Sequence, residues 1–130
     1  LPAGWDLRVQ SAITLMDSEP EPDFVIVRGD EKTYLTRHPT TADIGLVVEV
    51  SDSTLVGDRD DKGRIYAKEG IESYWIVNLN DQLIEVYTLP SGLTPDPKYA
   101  RRVDHRIGDS VTLLLAKAAA MQVAVLDFLP

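Results

Sequence analysis

The sequence predicts an α/β fold in which short buried strands precede and follow one clear helix. Two apolar, β-branched runs, residues 24–27 and 44–50, have strand length and are bounded by turn residues, which is typical of strands covered on both faces. From Asp58 to Glu69, charged and aromatic residues recur at spacings of three and four, and Gly70 follows as a helix C-cap. The two periods in one chain predict a sheet packed against a helix.

Before the helix, two segments have strand-like composition, residues 5–10 and 11–16. Residues 17–22 follow these segments and contain two prolines and three acidic residues, which predicts a loop. Residues 37–41 contain a further proline and predict a second loop. Because one short connection separates the two apolar strands, we expect them to be neighbours in the sheet.

After the helix, the sequence returns to strand patterns. Residues 72–79 are aromatic and β-branched, and residues 82–89 alternate, so a tight turn between them predicts a hairpin. We expect residues 99–107 to pair with residues 110–115 around a Gly-Asp turn. Residues 117–130 contain a run of alanines and end in apolar residues, a pattern that is compatible with either a short helix or a strand.

At 130 residues with 44% hydrophobic side chains, the chain can bury one sizeable core, so we expect a single domain over residues 1–130. The absence of cysteine excludes thiolate metal sites, and any metal must be held by oxygen or by His38 and His105. No apolar stretch approaches the roughly 20 residues of a membrane span, and from the pattern of the first residues we expect no secretory leader. We expect a cytoplasmic protein that does not contact a membrane.

The formal net charge of −8 argues against a general, charge-driven nucleic-acid binder, because such proteins carry an excess of lysine and arginine. It does not exclude a nuclease, since divalent metal neutralises carboxylates at a working site. One basic cluster is a candidate nucleic-acid contact: Lys98, Arg101, Arg102, His105 and Arg106. A solvated hairpin explains the same charges, and the general composition of protein surfaces favours that interpretation.

Glu49 is the most informative residue, because it lies inside the apolar run of residues 44–50. In a strand covered on both faces, an ionised carboxylate is costly unless a metal or a hydrogen-bond donor compensates it. Asp23 precedes the other apolar strand, and Lys62 lies on the helix that follows. If the strands are neighbours and the helix packs over their acidic face, Lys62 can reach Glu49.

Two carboxylates and a lysine suit metal-assisted hydrolysis of a phosphodiester. Mg²⁺ prefers hard oxygen ligands and keeps several waters, while a lysine ammonium can orient or activate the attacking water and offset phosphate charge. Simpler explanations exist, with Asp23 as a strand-entry residue after a proline and Lys62 as a solvated helix residue. Asp58 is either an acid that orients Lys62 or the helix N-cap, and N-cap preferences favour the cap.

Four segments carry a family resemblance. They are residues 20–27 (PEPDFVIV), 46–51 (LVVEVS), 58–62 (DRDDK) with Tyr66, and 70–77 (GIESYWIV). In this order and spacing they resemble successive signatures of the Uma2 family, also called DUF820. This is a group of restriction-endonuclease-like proteins of unknown function, abundant in cyanobacteria and some other bacteria. The resemblance spans residues 10–87.

The resemblance implies the PD-(D/E)XK nuclease fold, which is restriction endonuclease-like: a mixed central β-sheet flanked by helices, with Mg²⁺ or Mn²⁺ at acidic strand ends. By the family pattern, Asp23 and Glu49 are the metal ligands, and Lys62 completes the catalytic set. Ser51 stands where the standard nuclease motif has lysine, and in this family the lysine lies on the helix instead. Related nucleases often carry an acidic residue on an N-terminal helix, which we expect this chain to lack.

We therefore expect a Mg²⁺- or Mn²⁺-dependent endonuclease that hydrolyses nucleic acid, with DNA as the expected substrate and a homodimer as the expected assembly. The alternative is a catalytically inactive module of the same fold, a homodimer that uses its hairpin edge as an interaction surface. The acidic charge and the expected lack of an N-terminal helix favour that alternative.

Overall fold

The computed structural model describes residues 1–115 and 119–128, and a six-stranded sheet forms its centre. The strands lie in the sheet in the order in which they occur in the chain. They are β1 (Trp5–Val9), β2 (Phe24–Arg28), β3 (Ile44–Ser51), β4 (Tyr74–Asn78), β5 (Leu83–Pro90) and β6 (Tyr99–Arg106). Strands β3 and β4 run parallel, and the other neighbouring pairs run antiparallel. The predicted α/β class with a mixed sheet is confirmed.

A helical segment, residues 55–68, makes the crossover between the parallel strands β3 and β4. Parallel neighbours need such a connection because the chain must return to the same end of the sheet. The segment is α-helical at Leu55–Gly57, π-helical at Asp58–Lys62, and α-helical again at Gly63–Lys68. Gly70 follows in the left-handed conformation, with φ 73°, as predicted for the helix end.

The two faces of the sheet are covered by different structures. On one face, Val47 and Tyr74 pack with Tyr66 of the 55–68 helix. On the other face, Leu46 and Trp75 pack against a hairpin of two further strands. These strands are β7 (Ser110–Leu115) and β8 (Ala119–Ala124), and short 3-10 turns lie at Glu31–Tyr34, Thr41–Asp43 and Val125–Phe128.

Gly45 of β3 allows the hairpin to approach the sheet closely. A Cβ atom at this position would lie 2.6 Å from Leu115 Cδ2 and 2.9 Å from the Trp5 ring. Both distances are shorter than a carbon–carbon contact. The glycine inside this apolar run is therefore a packing requirement of the second core.

One predicted strand pairing and one predicted strand are wrong. Residues 99–107 do not pair with residues 110–115, because β6 pairs with β5 and β7 pairs with β8. The apolar residues of β7 bury their side chains by covering the sheet face that carries Leu46 and Trp75, and apolar burial favours this position over one at the sheet edge. Residues 11–16 form no strand and make one isolated bridge, from Thr14 to Thr40. Their apolar side chains enter the core from irregular chain instead.

The question left open for residues 117–130 is decided for the described part. Strand β8 is followed by the 3-10 turn that ends at Phe128. Residues 116–118 and 129–130 lie outside the described residues. Within those ranges that the structure does describe, no helix is long and apolar enough to cross a membrane.

Candidate active site

Asp23 and Glu49 are brought together by the pairing of β2 with β3. These strands are neighbours, as predicted, and they run antiparallel with Phe24 opposite Val48, so Asp23 lies beside Glu49. The Asp23 backbone amide donates to Glu49 Oε1 over 3.1 Å. In return, the Val50 amide donates to Asp23 Oδ2 over 2.7 Å. The strand ends therefore hold the two acidic residues side by side.

Glu49 is buried, with 1% of its surface exposed, and three donors contact its carboxylate. Besides the Asp23 amide, Lys62 Nζ lies 3.0 Å from Oε2, and the Tyr66 hydroxyl donates to the same oxygen over 3.1 Å. Burial raises the pKa of Glu49, and the Lys62 ammonium and the Asp23 amide offset this only in part. The donors around Glu49 therefore compensate its burial only in part, and a bound cation would further stabilise its charged form.

Lys62 is held between two carboxylates. Its Nζ lies 3.1 Å from Asp58 Oδ1 in addition to its contact with Glu49. Burial lowers the pKa of Lys62, but its hydrogen bonds to Glu49 and Asp58 outweigh burial, so the net shift is upward. Lys62 is therefore a charged ammonium at neutral pH. It is suited to supply charge and orientation rather than to accept a proton.

Asp58 is the acid that orients Lys62, and the preferred prediction that it caps the helix is wrong. The helical segment begins three residues earlier, at Leu55, so Asp58 lies inside it. The buried Asp58 carboxylate accepts hydrogen bonds from the Ser51 hydroxyl and, over 2.9 Å, from the Thr54 hydroxyl. Ser51, at the position where the standard motif has lysine, therefore fixes the acid that holds the helical lysine.

A second buried carboxylate, Glu85 of β5, was missed by the sequence reasoning. Its side chain has no exposed surface, and Arg59 of the π-helical turn binds both of its oxygens. Its other donors are the Asn78 amide at 2.9 Å, the Tyr87 hydroxyl at 2.6 Å and Arg102 at 3.3 Å. Burial alone would raise the pKa of Glu85, but these donors outweigh it and the net shift is downward.

A signal for Glu85 was present in the sequence. In a strand, residues 83, 85 and 87 share one face, and Leu83 and Tyr87 are both apolar or aromatic. The acid therefore lies on a covered face rather than on the solvated face expected from alternation. Its partners could not be predicted, because they come from distant parts of the chain.

Two members of the basic cluster of Lys98 and β6 residues are paired with acidic side chains. Arg102 is bound to Glu85 and, over 2.9 Å, to Asp104, and Lys98 lies 3.9 Å from Asp96. Arg101 and Arg106 are exposed, which agrees with the favoured interpretation of a solvated hairpin.

The residues at the site fit a metal with few protein ligands. Over residues 1–115 and 119–128, no group of three or more acidic, histidine or cysteine side chains forms a metal cluster, so His38 and His105 join none. Asp23 and Glu49 offer two hard carboxylates, and no donor among the described residues contacts Asp23 Oδ1. Two carboxylates suit Mg²⁺, which keeps several of its waters.

Comparison with known proteins agrees with the resemblance in the sequence. A model of the Uma2 family, described as "Putative restriction endonuclease", matches residues 3–124. The fold is similar to a crystal structure described as "a putative nuclease belonging to DUF820" from Anabaena variabilis, with a TM-score of 0.64. That similarity covers 95% of this chain and 67% of the other at 14% identity, so it supports the fold alone. Comparison with curated proteins gives no match. The family match spans nearly the whole chain, and the protein belongs to the Uma2 family.

Proposed function

We propose that this protein is a metal-dependent endonuclease that hydrolyses phosphodiester bonds in DNA. The observation that supports this best is the contact of Lys62 Nζ with Glu49 at 3.0 Å, beside Asp23 on the neighbouring strand. Two acids and one lysine from three separate segments meet where β2 begins and β3 ends. Stability alone gives little reason to bury such a set, because desolvation opposes it.

In this proposal, Asp23 and Glu49 hold Mg²⁺ or Mn²⁺. An ion held there would neutralise charge on the scissile phosphate and would make the attacking water easier to ionise. The hydrogen bond from the Val50 amide fixes one oxygen of Asp23 and leaves the other for a ligand. Tyr66 and the Asp23 amide hold the Glu49 carboxylate in one orientation. The protein therefore presents preformed oxygens at the end of a rigid sheet.

In the proposed reaction, Lys62 is a positively charged hydrogen-bond donor. If Glu49 held a cation, Asp58, which lies 3.1 Å from the Lys62 ammonium, would still be available to hold that ammonium. The partly exposed Lys62 head can then donate to the attacking water or to a phosphate oxygen. Its raised pKa keeps it charged at neutral pH, which suits this part of the reaction.

A nicking assay with supercoiled plasmid and Mn²⁺ tests the proposal. We expect Lys62→Ala to lower the cleavage rate by about 100-fold, the usual loss for one positioned charge donor. Lys68→Ala is the matched control, because Lys68 lies on the same helix and pairs with exposed Asp17 over 2.6 Å, away from the two acids. Its rate should equal that of the wild type. Cleavage that survives Lys62→Ala would contradict the proposal.

An inactive module of the same fold remains the second candidate, supported by the ion pair in which Lys62 already partly neutralises Glu49. It predicts neither nicking of DNA nor binding of Mn²⁺ by the wild type. A labelled RNA cleaved beside the plasmid tests the preference for DNA. Light scattering tests the homodimer, which either candidate can form.

A further inference from the structure

Glu49 and Glu85 lie on one line across the sheet. Ile76 of β4 is in register with Glu49 on one side and with Glu85 on the other. Side chains in register share a face, so both carboxylates lie beneath the 55–68 helix. Two strand spacings separate them, which is about 10 Å.

One turn of the helix contacts both carboxylates. From the π-helical turn Asp58–Lys62, the Lys62 side chain contacts Glu49. Arg59 of the same turn donates two hydrogen bonds to Glu85, one from Nε to Oε1 over 2.9 Å and one from a second guanidinium nitrogen to Oε2. A π-helical turn departs from regular helix spacing and frequently occurs at functional sites. Within this turn, two residues three positions apart contact carboxylates that lie two strands apart.

Glu85 is itself fixed from three strands. Asn78 of β4, Tyr87 of β5 and Arg102 of β6 all donate to it or pair with it. The planar arginine fork adds a directional contact from the helix, because its two bonds to one carboxylate define an orientation. The Arg59–Glu85 pair therefore fixes the turn relative to the sheet.

Lys62 is held at its ammonium by Glu49 and Asp58, and only Glu49 of these two acids lies on the sheet. The Lys62 side chain is 42% exposed, and a lysine stem has four flexible bonds. Where its ammonium lies therefore depends strongly on where the helix backbone is held. A shift of about 1 Å in a catalytic group can cost about 100-fold in rate.

From this geometry we propose that Arg59 and Glu85 are positioning residues, which set the 55–68 helix so that Lys62 reaches Glu49. This inference rests on the proposed function for its catalytic consequence. Its structural part, the placement of Lys62, stands apart from any activity and can be measured without metal or nucleic acid.

The test compares the double variant Arg59→Met/Glu85→Gln with Arg64→Met. The double variant removes both charges together, so neither remains buried without its partner. The control removes an arginine five positions further along the helix, where Arg64 pairs with exposed Asp96 over 2.7 Å. Arg59→Lys is the third variant, which keeps the charge and loses the two-pronged contact. Circular dichroism establishes that each variant is folded.

The first readout is the rate at which acetic anhydride modifies Lys62, followed by mass spectrometry of the peptides. An ion-paired ammonium reacts slowly, so we expect the rate to rise about fivefold in the double variant, which corresponds to about 1 kcal/mol. Arg59→Lys should give a smaller rise, and Arg64→Met none. The second readout is Mn²⁺-dependent nicking, for which we expect kcat to fall at least about tenfold while KM stays within about twofold.

The outcomes separate the two ideas. Wild-type Lys62 reactivity and kcat in the folded double variant would overturn the positioning role and leave the nuclease proposal intact. Raised Lys62 reactivity in a protein whose wild type cleaves nothing would support positioning and refute the nuclease. If the double variant does not fold, Arg59→Lys decides, because unchanged reactivity in that variant also overturns the inference.

Discussion

Glu49 and Glu85 are the same residue type on the same face of one sheet, in line with each other, and their surroundings are opposite. Glu49 has one partly exposed lysine, one tyrosine and one amide as donors. Glu85 has two arginines, one tyrosine and one asparagine. Burial raises the pKa of Glu49, whereas the donors around Glu85 outweigh its burial and lower its pKa. A buried acid with too little compensation can recruit a cation, and one with full compensation holds structure.

The largest expected effect in this comparison is on stability. Glu85→Gln should lower the free energy of unfolding by about 2–4 kcal/mol, because Arg59 and Arg102 lose a charged acceptor while their partial exposure limits the cost. Glu49→Gln should leave it unchanged or raise it by up to about 1 kcal/mol without metal, because a neutral amide is less costly to bury. Urea unfolding at neutral pH measures both. Equal losses would contradict the contrast between the two sites.

The second expected effect is on the pH dependence of stability. The lowered pKa of Glu85 means that its stabilisation is present above its ordinary pKa of 4.5 and is lost as the pH falls below that value. The raised pKa of Glu49 has the opposite sign, so stability falls as the pH rises from 4.5 towards the raised value. Thermal unfolding over a pH series should show a weaker acid transition in Glu85→Gln. The same series should show loss of the decline above pH 4.5 in Glu49→Gln.

A smaller effect is expected from removing one phenol at each site. Tyr66→Phe removes the donor at 3.1 Å from Glu49, and Tyr87→Phe removes the donor at 2.6 Å from Glu85. Each should cost about 1–2 kcal/mol of stability, since each breaks a hydrogen bond to a charged group. Plasmid nicking distinguishes them, because Tyr66 orients a proposed ligand and Tyr87 does not. A loss of activity in Tyr87→Phe larger than in Tyr66→Phe would contradict this assignment.

The local pattern singled out Glu49 by itself, whereas Asp23 and Lys62 became candidates through their arrangement with it and through the family resemblance. An acid within an apolar strand, an acid at a strand entry and a lysine at helical spacing are all visible in short windows. The segments that carry these residues also follow one another along the chain in the order of the family signatures. In the structure, Asp23 and Lys62 each contact Glu49, through strand pairing and helix packing that the sequence left as a hypothesis.

The parts that were missed depend on contacts between distant residues. Glu85 and Arg59 are 26 positions apart, and nothing in either local window requires the other. The predicted pairing of residues 110–115, strand β7, with residues 99–107 is wrong for the same reason. An apolar strand can extend a sheet or cover it, and the space over Gly45 decides between these outcomes only after the sheet exists. The prediction of Asp58 as the cap is wrong because the helix begins at Leu55, whereas the helical spacing in the sequence becomes visible only from Asp58.

Calorimetric titration with Mn²⁺ tests the central claim most directly, with wild type, Glu49→Gln and Glu85→Gln measured side by side. The proposed metal site predicts binding by the wild type, comparable binding by Glu85→Gln, and at least about tenfold weaker binding by Glu49→Gln, a difference of about 1.4 kcal/mol. Equal Mn²⁺ affinity in the wild type and Glu49→Gln would contradict the assignment of Glu49 as a metal ligand.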